Sequence, residues 1–525
     1  MCIVDARRPD HFHDDGNIAM LRLTKVLMAG TAVLALAACG GGAEVASPGE
    51  GDFGNPGNPG NPGGNPGPAP GTPAADCPTG TVDIGVVANG TLRSCQIPNQ
   101  VLGTLTLPSR AGTVYAIAGV VNVGIDGGVA PTAGVGQSGT LIIQPGVRVY
   151  ASAGSDALII NRGSQLFAEG TATNPIIFTS RQNINGETTE TSQGQWGGII
   201  MAGRAPQANC QLTPMVVCSG TIEGGNSVGY GGNTATDNSG RLRYVQIRYS
   251  GFEVSPGNEL QGLTLGGVGS GTVLEYIQVY NSSDDGIEIF GGNANLRYIA
   301  INGADDDGLD TDTGWRGGAQ FGIVTQRPTT GTSRSAGFEF SAAGAGTIQP
   351  LTRYNSQPKI SNFTVVGRNS TLNAHVVAHL DTGSDATIIN SVFTNPTGSA
   401  SACLDLADAD TISVAPTFSS VFMSCGTSFR TQSGQAANIP AVFNAGANNT
   451  AAGTSTLTAP TGTSITNQGL AFINGANESA VPVSNPQTVY SWFQPVTYIG
   501  AVQNASDTWW RGWTCGLTAN SPCCG

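Results

Sequence analysis

The chain has 525 residues, a net charge of −13, 11% charged residues and 76 glycines. The acidic balance excludes nucleic acid as a partner, since phosphate binding needs a basic footprint, and it suits a body that faces water or recruits cations. Abundant glycine with few charges argues for β-structure rich in tight turns and against helical bundles, in one to three domains or one elongated repeat.

Residues 1–19 precede a better start at Met20 and read as an N-terminal extension, so their "HFHDD" carries no metal assignment. Residues 20–38 hold Arg22 and Lys25, then an apolar run to Ala38. That is a secretory signal peptide, too short and wrongly flanked for a spanning helix. The "LAAC" at its end resembles the bacterial lipobox, which implies that Cys39 becomes the lipidated first residue of the mature protein. A cleaved signal with an incidental cysteine is the alternative. Residues 39–76 carry "GNPGNPGNPGGNPGPAPGTP", a composition that builds no core and reads as a disordered, semi-extended tether. Gly40 is not an acidic retention signal, so resemblance to such lipoproteins implies the cell outer membrane, with the body facing the periplasm or the surface.

Residues 77–138 read as an N-terminal cap, and cysteine spacing agrees with export. Local bridges are expected at Cys77–Cys95, Cys210–Cys218 and Cys403–Cys425, with Cys515 joined to Cys523 or Cys524. No CxxC pair lies near a histidine, so zinc is not expected. "GGVGSG" lacks the lysine of a phosphate loop, and neither nucleotide nor haem is expected.

Residues 139–430 contain a repeat. "LRYVQIRY" begins at Leu242, "LEYIQVYN" at Leu274 and "LRYIAING" at Leu296, each followed by a second short strand, "GLTLGG", "GIEIFGG" and "GLDTDTG". The later copies are 22 residues apart. Such short strands between Gly, Asn and Asp turns describe a solenoid whose stacked coils bury a continuous core. Leu, Tyr and Ile at alternate positions are expected to point inward. Arg243, Glu275 and Arg297 then fall in one row, a plus–minus–plus ladder, and Asn362 and Asn390 in another, suited to an amide ladder. The loop from Glu223 to Gly240 reads as a mobile excursion or lid.

This pattern resembles the right-handed parallel β-helix of the pectin-lyase-like superfamily over roughly Gly139 to Phe422. "LIIQPGVRVYASAGSDALIINRGSQLFAEGTATNPIIFTSR" is similar to the first coils of such proteins, and "GQWGGIIMAG" to a further early coil. The fold class is therefore all-β, a parallel β-helix behind a lipidated tether. Residues 431–525 form a C-terminal capping region. Within it, "YIGAVQNASDTWWRGWT" is similar to the closing segment of secreted β-helical lipoproteins, and its tryptophans are expected to cap the last coil rather than stack on a sugar.

Between Asn281 and Gly317 the chain collects eight of its 35 acidic residues. The repeat sets Asp284 beside Asp306, Asp285 beside Asp307 and Glu288 beside Asp310, about 5 Å apart if the coils stack. Like charges at that separation need a bound cation, raised carboxyl pKa values or neighbouring cations and N–H groups. As a metal site, Asp284, Asp285, Glu288, Asp306, Asp307, Asp310 and Asp312 offer oxygens that suit Ca²⁺. As an acid–base site, Asp284, Asp285, Asp306 and Asp307 can serve a glycosidic bond.

"DDGIEI" is similar to the Asp-Asp turn of polygalacturonases, a match that reaches only Asp284 and Asp285. The Gly-His-Gly turn and Arg-Ile-Lys strand of that family are missing. Arg297 and Arg316 are candidate lyase bases or, with Trp315, binding residues. His375 and His379 share a face of what reads as a strand and are taken as surface or turn residues. The bland reading is that Asp-Asp-Gly caps backbone N–H groups at coil corners.

The function expected is an exported lipoprotein that binds an extracellular ligand, carbohydrate by class, at an acidic Ca²⁺-loaded face. Resemblance to similar lipoproteins makes it an accessory to an outer-membrane receptor. The alternatives are a polysaccharide hydrolase or lyase, and a structural surface protein or adhesin.

Overall fold

The computed structural model describes residues 71–131, 134–208, 219–224, 228–255, 258–327, 335–342, 355–371, 375–460, 471–518 and 520–524. The expected Cys210–Cys218 bridge lies outside the described residues, as does the lipobox with Cys39.

Two long ladders of parallel strands run through the molecule. The long strands Gly240–Arg248, Val273–Tyr280, Asn295–Asn302, Gly318–Thr325 and Lys359–Val366 stack in one. The short strands Leu263–Gly266, Ile287–Phe290, Leu309–Asp312, Ala336–Ser341, Val376–Asp381 and Ala402–Leu406 stack in the other. The register pairs Leu274 with Leu296 and Ile287 with Leu309, the 22-residue offset read from the repeat. Parallel pairing also reaches N-terminal of Gly139, where Leu92–Gln96 pairs with Thr113–Ile117 and Gly103–Leu107 with Gly139–Ile143. Ahead of it Val82–Val87 turns back antiparallel on Leu92–Gln96, and Cys77–Cys95 pins that hairpin.

The tyrosines depart from the expected alternation. Leu242, Val245 and Ile247 are fully buried in the core, whereas Tyr244 is only half-buried. The cause is a left-handed bend: Tyr244, Tyr276, Tyr298 and Phe321 have φ of 51°, 57°, 60° and 64°. One residue in that conformation turns the strand and shifts its inward set by one position. The rings therefore face outward and stack, with centroids 4.3, 4.5 and 5.0 Å apart along the row. Inward, the aliphatic rows of successive coils form one core, and each buried side chain contributes roughly 1.5–3 kcal/mol.

Asn362 and Asn390 occupy the same bent position, at φ 60° and 49°. Their amides do not bond each other. Asn362 Nδ2 donates to Tyr498 O (2.8 Å) and Asn390 Nδ2 to Ser484 O (2.8 Å). Both anchor the C-terminal segment, which runs back along the flank of the coils. Gln278 Nε2 donates to Cys515 O (2.6 Å) and Gln320 Nε2 to Gln494 O (2.9 Å).

Trp509 and Trp513 lie against the outward tyrosine row, so they cover a flank rather than the last coil. The end of the core is closed instead by the helix Ile439–Asn444, whose Phe443 packs on Phe418 and Phe429. Cys403 pairs with Cys425, and Cys515 pairs with Cys523, leaving Cys524 outside the disulfides.

Candidate functional site

Along the short-strand ladder, aliphatic and aromatic residues alternate with an outward row. Ile287 and Ile289, Leu309 and Thr311, and Phe338 and Phe340 point into the core. The residues between them line up as Thr264, Glu288, Asp310, Glu339, His379 and Asp405. Outward here does not mean wet. Glu288 is 1% exposed and Asp310 5%. The hairpin of Gly220–Thr221 and Gly229–Tyr230 lies over the neighbouring coils, with Tyr230 buried against Phe290 and its hydroxyl 3.0 Å from Thr313 Oγ1. The part of the Glu223–Gly240 loop around Tyr230 is thus docked; residues 225–227 lie outside the described residues.

The Asp-Asp-Gly corners precede these strands and repeat one device. Asp285 Oδ1 accepts from Asp307 N (2.9 Å), and Asp307 Oδ1 accepts from Ala336 N one coil later. Each second aspartate therefore caps the next coil, the turn chemistry weighed above. The first aspartates, Asp284 and Asp306, stay half-buried. Carboxylate oxygens of Asp284, Asp285 and Asp306 lie within 4.8 Å of one another, and so do those of Asp285, Glu288 and Asp310.

Two unit charges at that range repel by about 3 kcal/mol at an effective dielectric near 20. Burial first, then Asp284, Asp310 and Asp306, push the Asp285 carboxyl well above its ordinary range. Burial and then Asp285, Glu223 and the nearby aspartates do the same to Glu288. Asp307 is raised by burial, by Glu339 and by Asp306. Glu288 Oε2 is buried with no hydrogen-bond partner among the described residues.

One compensating cation comes from a distant part of the chain. The Arg368 side chain is fully buried, with NH1 3.5 Å from Asp305 Oδ1 and NH2 donating to Asp305 O at 2.7 Å. Burial lowers its pKa, and the aspartates around it oppose that shift. Arg368 serves the corner at Asp305 and Asp306 and makes no hydrogen bond to Glu288.

This geometry belongs to a recognisable class. The family model described as a pectate-lyase-like β-helix domain matches residues 128–514. The chain belongs to that family. No curated protein and no solved structure matches it.

In this pectate-lyase-like chain the predicted acids fall into distinct groups. Asp284, Asp285, Glu288, Asp306 and Asp310 come together as two overlapping triads that share Asp285. Asp307 instead faces the next coil toward Glu339. Asp312 accepts from Thr313 N (2.9 Å) at the far end of its strand.

The predicted companions lie elsewhere. Trp315 is fully buried in the hydrophobic core, its indole N–H donating to Ala294 O (2.9 Å). Arg316 Nε donates to Asn355 O (2.8 Å). Arg297 sits in the Arg243–Glu275–Arg297 row, 3.7 Å from Glu275, on the other ladder and under the Trp492 ring. An inward position took Trp315 away from the acidic face, and strand register took Arg297.

Sequence reasoning missed Glu339, Asp405 and Arg368, and it took His379 for a surface or turn residue where the structure buries it in a strand. Coil offsets along this face run 22, 29, 40 and 26 residues, so a single repeat length loses the row after Asp310. The alternating "GFEF" and "VVAHL" strands carry the signal, once loops of unequal length are allowed between them. His375 is buried rather than at the surface. Its Nδ1 stands 2.9 Å from Ser335 Oγ, and burial and then Arg368 push its pKa down to about 4.

Proposed function

We propose that the acidic strip holds a divalent cation at Asp285, Glu288 and Asp310, with Asp284 and Asp306 beside it, and that the loaded strip binds an extracellular carbohydrate. The observation that carries the reading is Glu288: a buried carboxylate with one orphan oxygen, wedged between two others. Three carboxylates and no nitrogen make a hard, oxygen-only donor set, which suits Ca²⁺. Such an ion neutralises the buried strip, so acidic sugars become acceptable partners at its half-buried edge, Asp284 and Asp306. The lipobox resemblance and the tether support work at the outer membrane, anchored through Cys39, as an accessory to a receptor there.

The test is retention of the full chain on immobilised polyuronides and neutral glycans, in CaCl₂ and in EDTA. Retention in calcium that is lost in EDTA and in Glu288→Gln supports the reading. Equal retention under all conditions contradicts it.

A second reading, hydrolysis or elimination at a glycosidic bond, draws on the family and on the raised pKa values of Asp285 and Asp307. Against it, both of those carboxylates already cap backbone N–H groups. Release of reducing ends or unsaturated uronides that disappears in Asp284→Asn and Asp306→Asn would favour catalysis over binding alone.

A further inference from the structure

We propose that Glu339, His379 and Asp381 form a second metal site, suited to a divalent first-row transition ion such as Zn²⁺ rather than to calcium. The three residues come from adjacent coils. Glu339 pairs with His379 in register, and Asp381 lies two residues further on the same outward face. Their ligand atoms lie within 4.8 Å of one another, with Glu339 and Asp381 half-buried and His379 buried.

The imidazole is held in one orientation. Asp405, one coil on, places Oδ2 3.1 Å from His379 Nδ1. Arg430 NH1 donates to the same oxygen at 3.0 Å. A carboxylate oxygen anchored by Arg430 is placed to accept from Nδ1–H, and this turns Nε2 toward Asp381. This is the carboxylate–histidine arrangement that orients metal-binding imidazoles.

On the other side of the ring, Nε2 stands 3.5 Å from Asp381 Oδ2. That is long for a hydrogen bond. It is close to the edge of a tetrahedron, since ligands at about 2.0–2.1 Å from a zinc ion stand roughly 3.3 Å apart. Ser341 Oγ donates to Asp381 Oδ1, and Oδ2 is the oxygen nearest the imidazole. One nitrogen with carboxylate oxygens favours Zn²⁺, Co²⁺ or Mn²⁺ over calcium. The sequence argued against zinc because no CxxC pair lies near a histidine. Here the ligands converge through coil stacking instead.

The competing explanation is an ion-pair network in which a protonated His379 bridges Asp381 and Asp405. Titrating Co²⁺ into the EDTA-treated full chain at neutral pH separates the two. The proposal expects visible absorption bands that saturate near one equivalent, are bleached by Zn²⁺ and persist in excess Ca²⁺. His379→Gln should abolish the bands, and Asp405→Asn, a positioning change, should weaken Co²⁺ about 10–100-fold. If His379→Gln does not fold by circular dichroism, Asp381→Asn at a half-buried position should abolish them in its place.

Glu288→Gln should leave the bands unchanged, so this site can fail or stand apart from the calcium reading. No bands in the wild-type chain, or bands unaltered in the folded His379 or Asp381 variant, would overturn the proposal.

Discussion

Glu288 concentrates the electrostatic problem of the acidic face. Its carboxylate is outward by strand alternation yet buried under neighbouring structure, with Asp285 and Asp310 on either side. Removing the charge without the shape should therefore help the metal-free protein. Glu288→Gln is expected to raise stability in EDTA by up to about 3 kcal/mol, the relief of like-charge repulsion from a neighbouring carboxylate at an effective dielectric near 20, and to abolish any gain from calcium; urea unfolding in both buffers checks this.

The pH dependence has a definite sign. Asp285, Glu288 and Asp307 have folded pKa values raised above their unfolded ones, so the native state keeps protons that the unfolded state releases. Their contribution is fully present below the unfolded carboxylate range and is lost as pH rises through the folded values. In EDTA the melting temperature should fall as pH rises above the ordinary carboxylate range, and calcium should flatten or reverse that slope, because binding needs the ionised carboxylates. At this scale the sequence was informative for Asp284, Asp285, Glu288 and Asp310, which one 22-residue offset aligns. It was silent on burial, because the hairpin that sets Tyr230 against Phe290 and Thr313 comes from a distant part of the chain.

The bend at Tyr244, Tyr276, Tyr298 and Phe321 governs the long strands. Simple alternation put the tyrosines inward, and a bulky residue at positive φ is too uncommon to expect from sequence. Once bent, the strand presents a stacked aromatic row that the C-terminal segment needs as a seat, with Trp509 and Trp513 against it. Asparagine takes over the position at Asn362 and Asn390 because it tolerates the left-handed region and its amide reaches the same segment.

Asn362→Ala is expected to cost about 2–3 kcal/mol, combining lost hydrogen bonds with left-handed strain. Asn362→Gly should cost less, since it loses the bonds but not the backbone freedom; chemical denaturation of the pair gives the comparison.

Over the whole molecule, a solenoid owes its stability to contacts between neighbouring coils. The C-terminal segment adds contacts of another kind, since one stretch of chain bonds Gln278, Gln320 and Asn362 on different coils. Truncation after Val483 should therefore split a single unfolding transition into several and expose the aromatic row to a hydrophobic dye, with differential scanning calorimetry as the check. The repeat architecture was legible because its period is carried by "LRY" and "LEY" strands. The extra coils before Gly139 and the path of the last residues were not, because neither repeats the motif.

The central claim is that stacked coils build a cation site around Glu288. Its most direct test is calorimetric titration of CaCl₂ into the EDTA-stripped full chain at neutral pH, beside Glu288→Gln. The account predicts saturable binding to the wild-type chain that weakens at least about tenfold in the variant. No binding to the wild type, or superimposable isotherms for the two proteins, would contradict it.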